Sequence, residues 1–172
     1  GQASLRRLNE ISINQQEISS SNLGIIPKKI LGKITFKNVF FSYSHNTDVI
    51  NNINLDIDSG KITALVGSSG AGKSTIFSLI LKFIEPNKGS IFIDEYNLSN
   101  VNTYYLRRLI GIVPQKTFIF SGTISEAIRF GRPSSMENIV NAAKIANAHD
   151  FIEKFPEGYE TLIEERGTNL SG

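Results

Sequence analysis

Apolar and polar positions alternate first in residues 33–43, where Ile34 and Phe36 stand between polar neighbours in a β-branched and aromatic run. They alternate again at Ile53, Leu55 and Ile57, after a polar turn at 44–48. A period of two predicts two strands of a half-exposed sheet. The compact apolar run 61–66 reads as a further strand. It leads through a glycine-rich turn into 76–84, where Ile76, Leu79, Ile80 and Phe83 form a helical stripe. Pro86 and Gly89 bracket a turn before a short strand over 90–94. Leu106 and Leu109 mark a helix that leads to another short strand over 111–114. Beyond Gly122 the pattern turns helical, over 124–128 and then 136–155, with Ile139, Ala142, Ala143 and Ala146 on one face and Pro156 and Gly158 closing it. Upstream, Leu5, Leu8 and Ile11 recur at helical spacing, and the Ser-, Asn- and Gln-rich stretch 14–29 reads as a linker. The class is mixed α/β.

Composition narrows this only a little. The 172 residues suffice for one sizeable core, and 40% hydrophobic with 20% charged residues is the balance of a globular protein. Eighteen basic against sixteen acidic residues, spread along the chain, give no electrostatic case for a nucleic acid partner. The absence of cysteine excludes disulfides and thiolate zinc sites. No stretch approaches the ~20 apolar residues of a membrane-spanning helix, and the first residues lack the pattern of a signal peptide. The start reads as continuing from something longer.

Chemistry enters at Gly67-Ser68-Ser69-Gly70-Ala71-Gly72-Lys73-Ser74, extended by Thr75, which matches the glycine, four residues, Gly-Lys-Ser/Thr pattern of a phosphate-binding loop. Backbone N–H groups can surround a triphosphate only if the chain curls tightly, so Gly70 and Gly72 stand where a Cβ would obstruct phosphate oxygens. A helix beginning near Lys73 aims its unpaired N–H groups and positive dipole end at the same anion. Lys73 adds a full charge and Ser74 a hydroxyl for Mg²⁺.

With that loop, the stretch from about residue 33 to 172 resembles the nucleotide-binding domains of ABC transporters. Tyr43 in Phe41-Ser42-Tyr43 is similar to the family's aromatic residue that stacks on adenine. Gln115 in Ile112-Val113-Pro114-Gln115 is similar to its Q-loop glutamine, which reaches Mg²⁺ or water. Residues 161–166 with Gly167 resemble the loop before the signature, although Glu164 departs from the glycine exporters often carry. Leu170-Ser171-Gly172 resembles the opening of the LSGGQ signature, which touches the γ-phosphate held by the opposite subunit. The run from Phe118 to Ile124 and the opening Ala3-Ser4-Leu5-Arg6-Arg7-Leu8 resemble the exporter type, of the multidrug- and lipid-exporter kind.

The resemblance implies an ABC-type P-loop core with an antiparallel β subdomain and a helical subdomain. Residues 1–32 would be a linker from a transmembrane domain, 33–121 the ATP-binding core, and 122–172 the helical subdomain. It implies ATP and Mg²⁺ as ligands, a transmembrane domain and a second, head-to-tail nucleotide-binding domain as partners, and a place on the cytoplasmic face of a membrane. ATP binding and hydrolysis would drive export. The alternatives are a non-catalytic nucleotide-binding remnant and a soluble ABC-type ATPase.

Ile91-Phe92-Ile93-Asp94-Glu95 imitates a Walker B strand, yet in the family that strand follows the signature, so these residues are expected to be structural. The family's Walker B carboxylates and switch histidine have no counterpart in this sequence, so this chain is expected not to hydrolyse ATP alone. Neither His45, in a turn, nor His149, after a helix, has a metal-ligand partner at suitable spacing. Strands of the fold that would lie between 61–66 and 111–114 are likewise unmatched, which predicts a gap in the sheet, exposed apolar faces and poor stability of this stretch by itself.

Overall fold

The computed structural model describes residues 24–43, 48–115 and 119–164. Expectations for the N-terminal helix, His45, Phe118, Gly167 and Leu170 to Gly172 lie outside these residues. The chain falls into two compact units, residues 1–112 and 113–172.

In the first unit, β1 (Ile34–Ser42) and β2 (Asp48–Ile57) are the two alternating segments, paired antiparallel with Ile34 opposite Ile57 and Phe36 opposite Leu55. β3 (Lys88–Ile93) joins the other edge of β1, and the two-residue β4 (Tyr96–Asn97) completes an antiparallel sheet of order β2-β1-β3-β4. The inward side chains of this sheet, Phe36, Val39, Phe41, Ile50, Ile91 and Ile93, meet Ile76, Leu79 and Ile80 of helix α1 (Lys73–Ile80). Burying each such side chain contributes about 1.5–3 kcal/mol.

α1 ends earlier than its apolar stripe predicts. Lys82 adopts a positive φ of 53°, and Arg107 donates from Nε to the Leu81 carbonyl and from Nη2 to that of Lys82, both at 2.8 Å. A guanidinium thus satisfies the carbonyls at the helix's negative end. It also lies 4.6 Å over the ring of Phe83, which remains exposed. Arg107 belongs to α2 (Thr103–Leu109), begun by Asn102, whose side chain accepts from the Tyr105 amide; Leu106 is fully buried, whereas Leu109 is not.

Two expected strands are not formed. Residues 61–66 and 111–114 lie outside any ladder among the described residues, with Ile62, Val66 and Val113 almost wholly exposed. A strand is held by hydrogen bonds to a neighbour, and an apolar run without one has no ladder to join. The exposed apolar faces are those the gap in the sheet predicts.

Among its described residues the second unit pairs β5 (Gly122–Thr123) with β6 (Leu162–Ile163) and carries three α-helices. α3 (Ile124–Arg129) opens with a capping box: Glu126 N–H donates to the Thr123 hydroxyl, and Thr123 N–H to the Glu126 carboxylate. The single helix expected over 136–155 is two, α4 (Met136–Ile145) and α5 (His149–Ile152), broken where Asn147 takes φ 59°. A left-handed residue cannot continue a right-handed helix, and asparagine tolerates that conformation better than most. On α4, Ile139 and Ala143 are buried, but Ala142, and Ala146 at its C-cap, are exposed, so the buried face is narrower than its alanines suggest. Ile124, Ile139, Ala143, Ile152, Tyr159 and Ile163 make this unit's core.

Candidate functional site

The loop 67–72 meets α1 without a side-chain cap. Gly72 occupies the N-cap position at φ 80°, no side chain accepts from the first turn, and no acidic residue lies in it. The helix's first N–H groups and its positive end are therefore left for an anion from outside the helix. Ile76 N–H to the Gly72 carbonyl, at 3.1 Å, is the first turn of the ladder, and Ala71 N–H to the Ser68 carbonyl, at 3.2 Å, closes the loop. The helix is fixed from beneath by buried Thr75, Ile76, Leu79 and Ile80, while Ser74 faces outward.

Glycine is required at Gly72 twice over. Its φ is left-handed, and a Cβ there would sit 2.9 Å from Ile50 Cδ1 and 3.0 Å from the Val49 carbonyl. At Gly70 the φ is also positive, at 81°, but no protein atom lies within 4 Å of the position a Cβ would take. The space there is open, as a phosphate cradle needs. Lys73 folds back over the loop, its Nζ donating to the carbonyls of Gly67 at 2.8 Å and Ser68 at 2.6 Å. The loop thus holds its own ammonium group where a triphosphate would compete for it.

Tyr43, 65% exposed, stands edge-on to buried Phe41 with ring centroids 4.8 Å apart and planes at 89°. Its hydroxyl lies 3.5 Å from Thr75 Oγ1, which places the ring beside the start of α1. The structure therefore sets Tyr43 beside Thr75, the last residue of the 67–75 pattern. Gln115 belongs to the second unit, exposed in a bend, and Ser171 and Gly172 lie outside the described residues.

Asp94 does not point to chemistry. It sits at φ 53°, and its carboxylate accepts from the amides of Leu31 at 2.7 Å, Gly32 at 3.1 Å and Lys33 at 2.9 Å. That pins the chain entering β1, a role invisible in sequence because its partners are about sixty positions away and are all backbone. His149 is also engaged locally: Nδ1 is 2.8 Å from the Tyr159 hydroxyl and Nε2 3.5 Å from Glu153. Among the described residues no group of three or more His, Cys, Asp or Glu could hold a metal ion, and no helix is long and apolar enough to cross a membrane.

A mixed α/β fold in which a glycine-rich turn feeds an uncapped helix through Gly-Lys-Ser defines a P-loop nucleotide-binding domain. Comparison with known proteins carries this further. Residues 50–172 match the family described as ABC transporter. The chain is 44% identical over 171 residues to the ABC transporter B family member 4 of Dictyostelium discoideum, covering 98% of this chain and 22% of that protein. It is 47% identical over 152 residues to the mitochondrial potassium channel ATP-binding subunit of Mus musculus, covering 86% of this chain and 21% of that one. A solved bacterial Atm1-family ABC exporter with ATP bound superposes with TM-score 0.79 at 38% identity, covering 88% of this chain and 27% of that one. This chain belongs to the ABC transporter family, as an ATP-binding domain of the B-family, Atm1-like exporter type. It spans less than a third of the length of these relatives, and its fold is partial relative to a full nucleotide-binding domain.

Proposed function

We propose that this chain holds ATP for a transporter that couples ATP binding and hydrolysis to export. The triphosphate lies in residues 67–75, with Lys73 leaving the loop carbonyls for the β and γ phosphates, and adenine rests on the ring of Tyr43. Mg²⁺ arrives with the nucleotide, held by phosphate oxygens and the Ser74 hydroxyl, which suits an ion that prefers oxygen ligands and keeps much of its water; Gln115 is the glutamine that the family resemblance assigns to the same ion. Ser171 and Gly172 begin the signature that reaches the nucleotide of a second such domain, paired head to tail. Residues 1–32 form the link from a transmembrane domain, which places the chain at the cytoplasmic face of a membrane. Residues 33–121 form the core, and 122–172 the helical subdomain. Asp94 is committed to backbone amides, so it is not free to be a magnesium-linked carboxylate, and the strand end it shares with Glu95 is read as structural; this chain by itself is expected not to hydrolyse ATP.

One observation carries the reading: the uncapped start of α1 beneath Gly72, with Lys73 folded back on the loop. Titration with MgATP should show binding that Lys73→Ala weakens by at least tenfold, since it removes a charge-assisted contact of about 1.5–3 kcal/mol. Unchanged affinity would overturn the reading. Phosphate release by this chain that disappears in Lys73→Ala would instead overturn the expectation that it does not hydrolyse ATP alone.

A further inference from the structure

We propose that Asn87, in the turn before β3, is a positioning residue for the adenine platform. The proposal rests on the reading of Tyr43 as the surface that takes the base. Tyr43 follows β1 directly, and although Ser42 still pairs with Asp48, the ladders of β1 are irregular there. Pairing with β3 ends at Phe40 opposite Lys88, and pairing with β2 slips on both sides of Phe41, between Val39 and Phe41 and again between Phe41 and Ser42. Asn87 supplies what the ladders lack. Its backbone N–H donates to the Phe40 carbonyl at 2.9 Å, and its side-chain Oδ1 accepts from the Ser42 amide at 2.7 Å and more weakly from the Ser42 hydroxyl at 3.5 Å.

These bonds bracket Phe41 from both sides. Phe41 is buried in the core of the first unit, and the edge of its ring contact with Tyr43 sets the plane Tyr43 presents. A base stacks well only on a ring held in one orientation, because ordering the ring on binding costs affinity. Asn87 therefore serves adenine recognition without touching the nucleotide. Its role differs from that of the loop 67–75, which binds the phosphates whatever base is attached.

The test compares two ligands on the purified full chain: MgATP, and magnesium tripolyphosphate, which has the phosphates but no base. Asn87→Ala should weaken MgATP binding by about three- to tenfold, the scale of one lost hydrogen bond, and leave tripolyphosphate binding unchanged. Asn87→Asp keeps an acceptor for the Ser42 amide and should restore most of the MgATP affinity. In a Tyr43→Ala background, Asn87→Ala should add nothing, because its effect passes through that ring. Equal loss of both ligands in Asn87→Ala, or additive losses in the double variant, would overturn the positioning role. If Tyr43→Ala itself leaves MgATP binding unchanged, Tyr43 is no platform and the role of Asn87 is overturned with it. A Lys73→Ala chain that binds both ligands as the parent does would overturn the reading of the loop, a failure recognisable apart from the other two.

Discussion

Asp94 separates two readings of one acidic strand end, because a magnesium-linked carboxylate and a backbone clamp fail in different ways. The clamp consists of three consecutive amides, those of Leu31, Gly32 and Lys33, donating to one carboxylate at 2.7, 3.1 and 2.9 Å. Hydrogen bonds to a charged group contribute about 1.5–3 kcal/mol each, but water can replace much of this at a partly exposed site, so about 1 kcal/mol each is the appropriate scale. Alanine would also sit at φ 53°, where it is less tolerated than aspartate, adding about 1 kcal/mol. Asp94→Ala should thus cost about 3–4 kcal/mol. Asp94→Asn, which keeps one acceptor and the backbone tolerance, should cost about 1–2 kcal/mol. At roughly 2–4 °C per kcal/mol for a domain of this size, thermal unfolding followed by circular dichroism resolves both. A parallel titration with MgATP should find the affinity of the folded Asp94→Asn protein unchanged. An Asp94→Asn protein with parental thermal stability and a weakened magnesium dependence of nucleotide binding would refute the clamp.

Two further outcomes follow from the geometry. Gly70→Ala meets no neighbour and should cost only the left-handed strain of about 1 kcal/mol, whereas Gly72→Ala adds contacts with Ile50 and the Val49 backbone and should cost roughly 2–4 kcal/mol. Denaturant unfolding compares them, and equal costs would show that the fit around Gly72 is looser than these distances imply. The Thr35 hydroxyl, donating to Asp56 at 2.6 Å, holds that carboxyl below its ordinary 3.8, with Lys33 at 3.5 Å assisting. A depressed folded value means the stabilisation is present above the unfolded value and is lost as pH falls through the folded one. Thr35→Val should move the Asp56 midpoint in a carboxyl NMR titration upward, and an unmoved midpoint would exclude the hydroxyl as the cause.

Much of the fold was legible because its signals are local. The alternation at Ile34 and Phe36 gave β1, the stripe at Ile76, Leu79 and Ile80 gave α1, and the capping pair Thr123 and Glu126 marks the start of a helical segment that periodicity had already placed. The loop 67–75 was legible for the same reason: glycine, lysine and serine act there through their own backbone and side chains, at fixed spacing. The break at Asn147 was not, since Ala142, Ala143 and Ala146 favour continuing the helix and only the packing of Ile139 and Ile152 into one core reveals the turn between them. Nor was the end of α1, which depends on a guanidinium from α2 reaching carbonyls about 25 positions upstream.

The segment 61–66 shows the limit most clearly. Ile62, Leu65 and Val66 carry the composition of a buried strand, and sequence reasoning read them so, yet strand propensity is mostly a preference for a pleated surface with neighbours on it. A helix closes its hydrogen bonds within itself, which is why α1 forms directly after this segment. A strand cannot. Residues 61–66 therefore join no ladder, with Ile62 and Val66 exposed and only Leu65 packed against the core, not because their sequence was misread but because the state it specifies belongs to a pair. The loop they lead into keeps its curl nonetheless, since Gly72 against Val49 and Ile50, and α1 against the sheet, hold it from the other side. The curl of the loop accordingly depends on β2 and α1 rather than on the segment that precedes it.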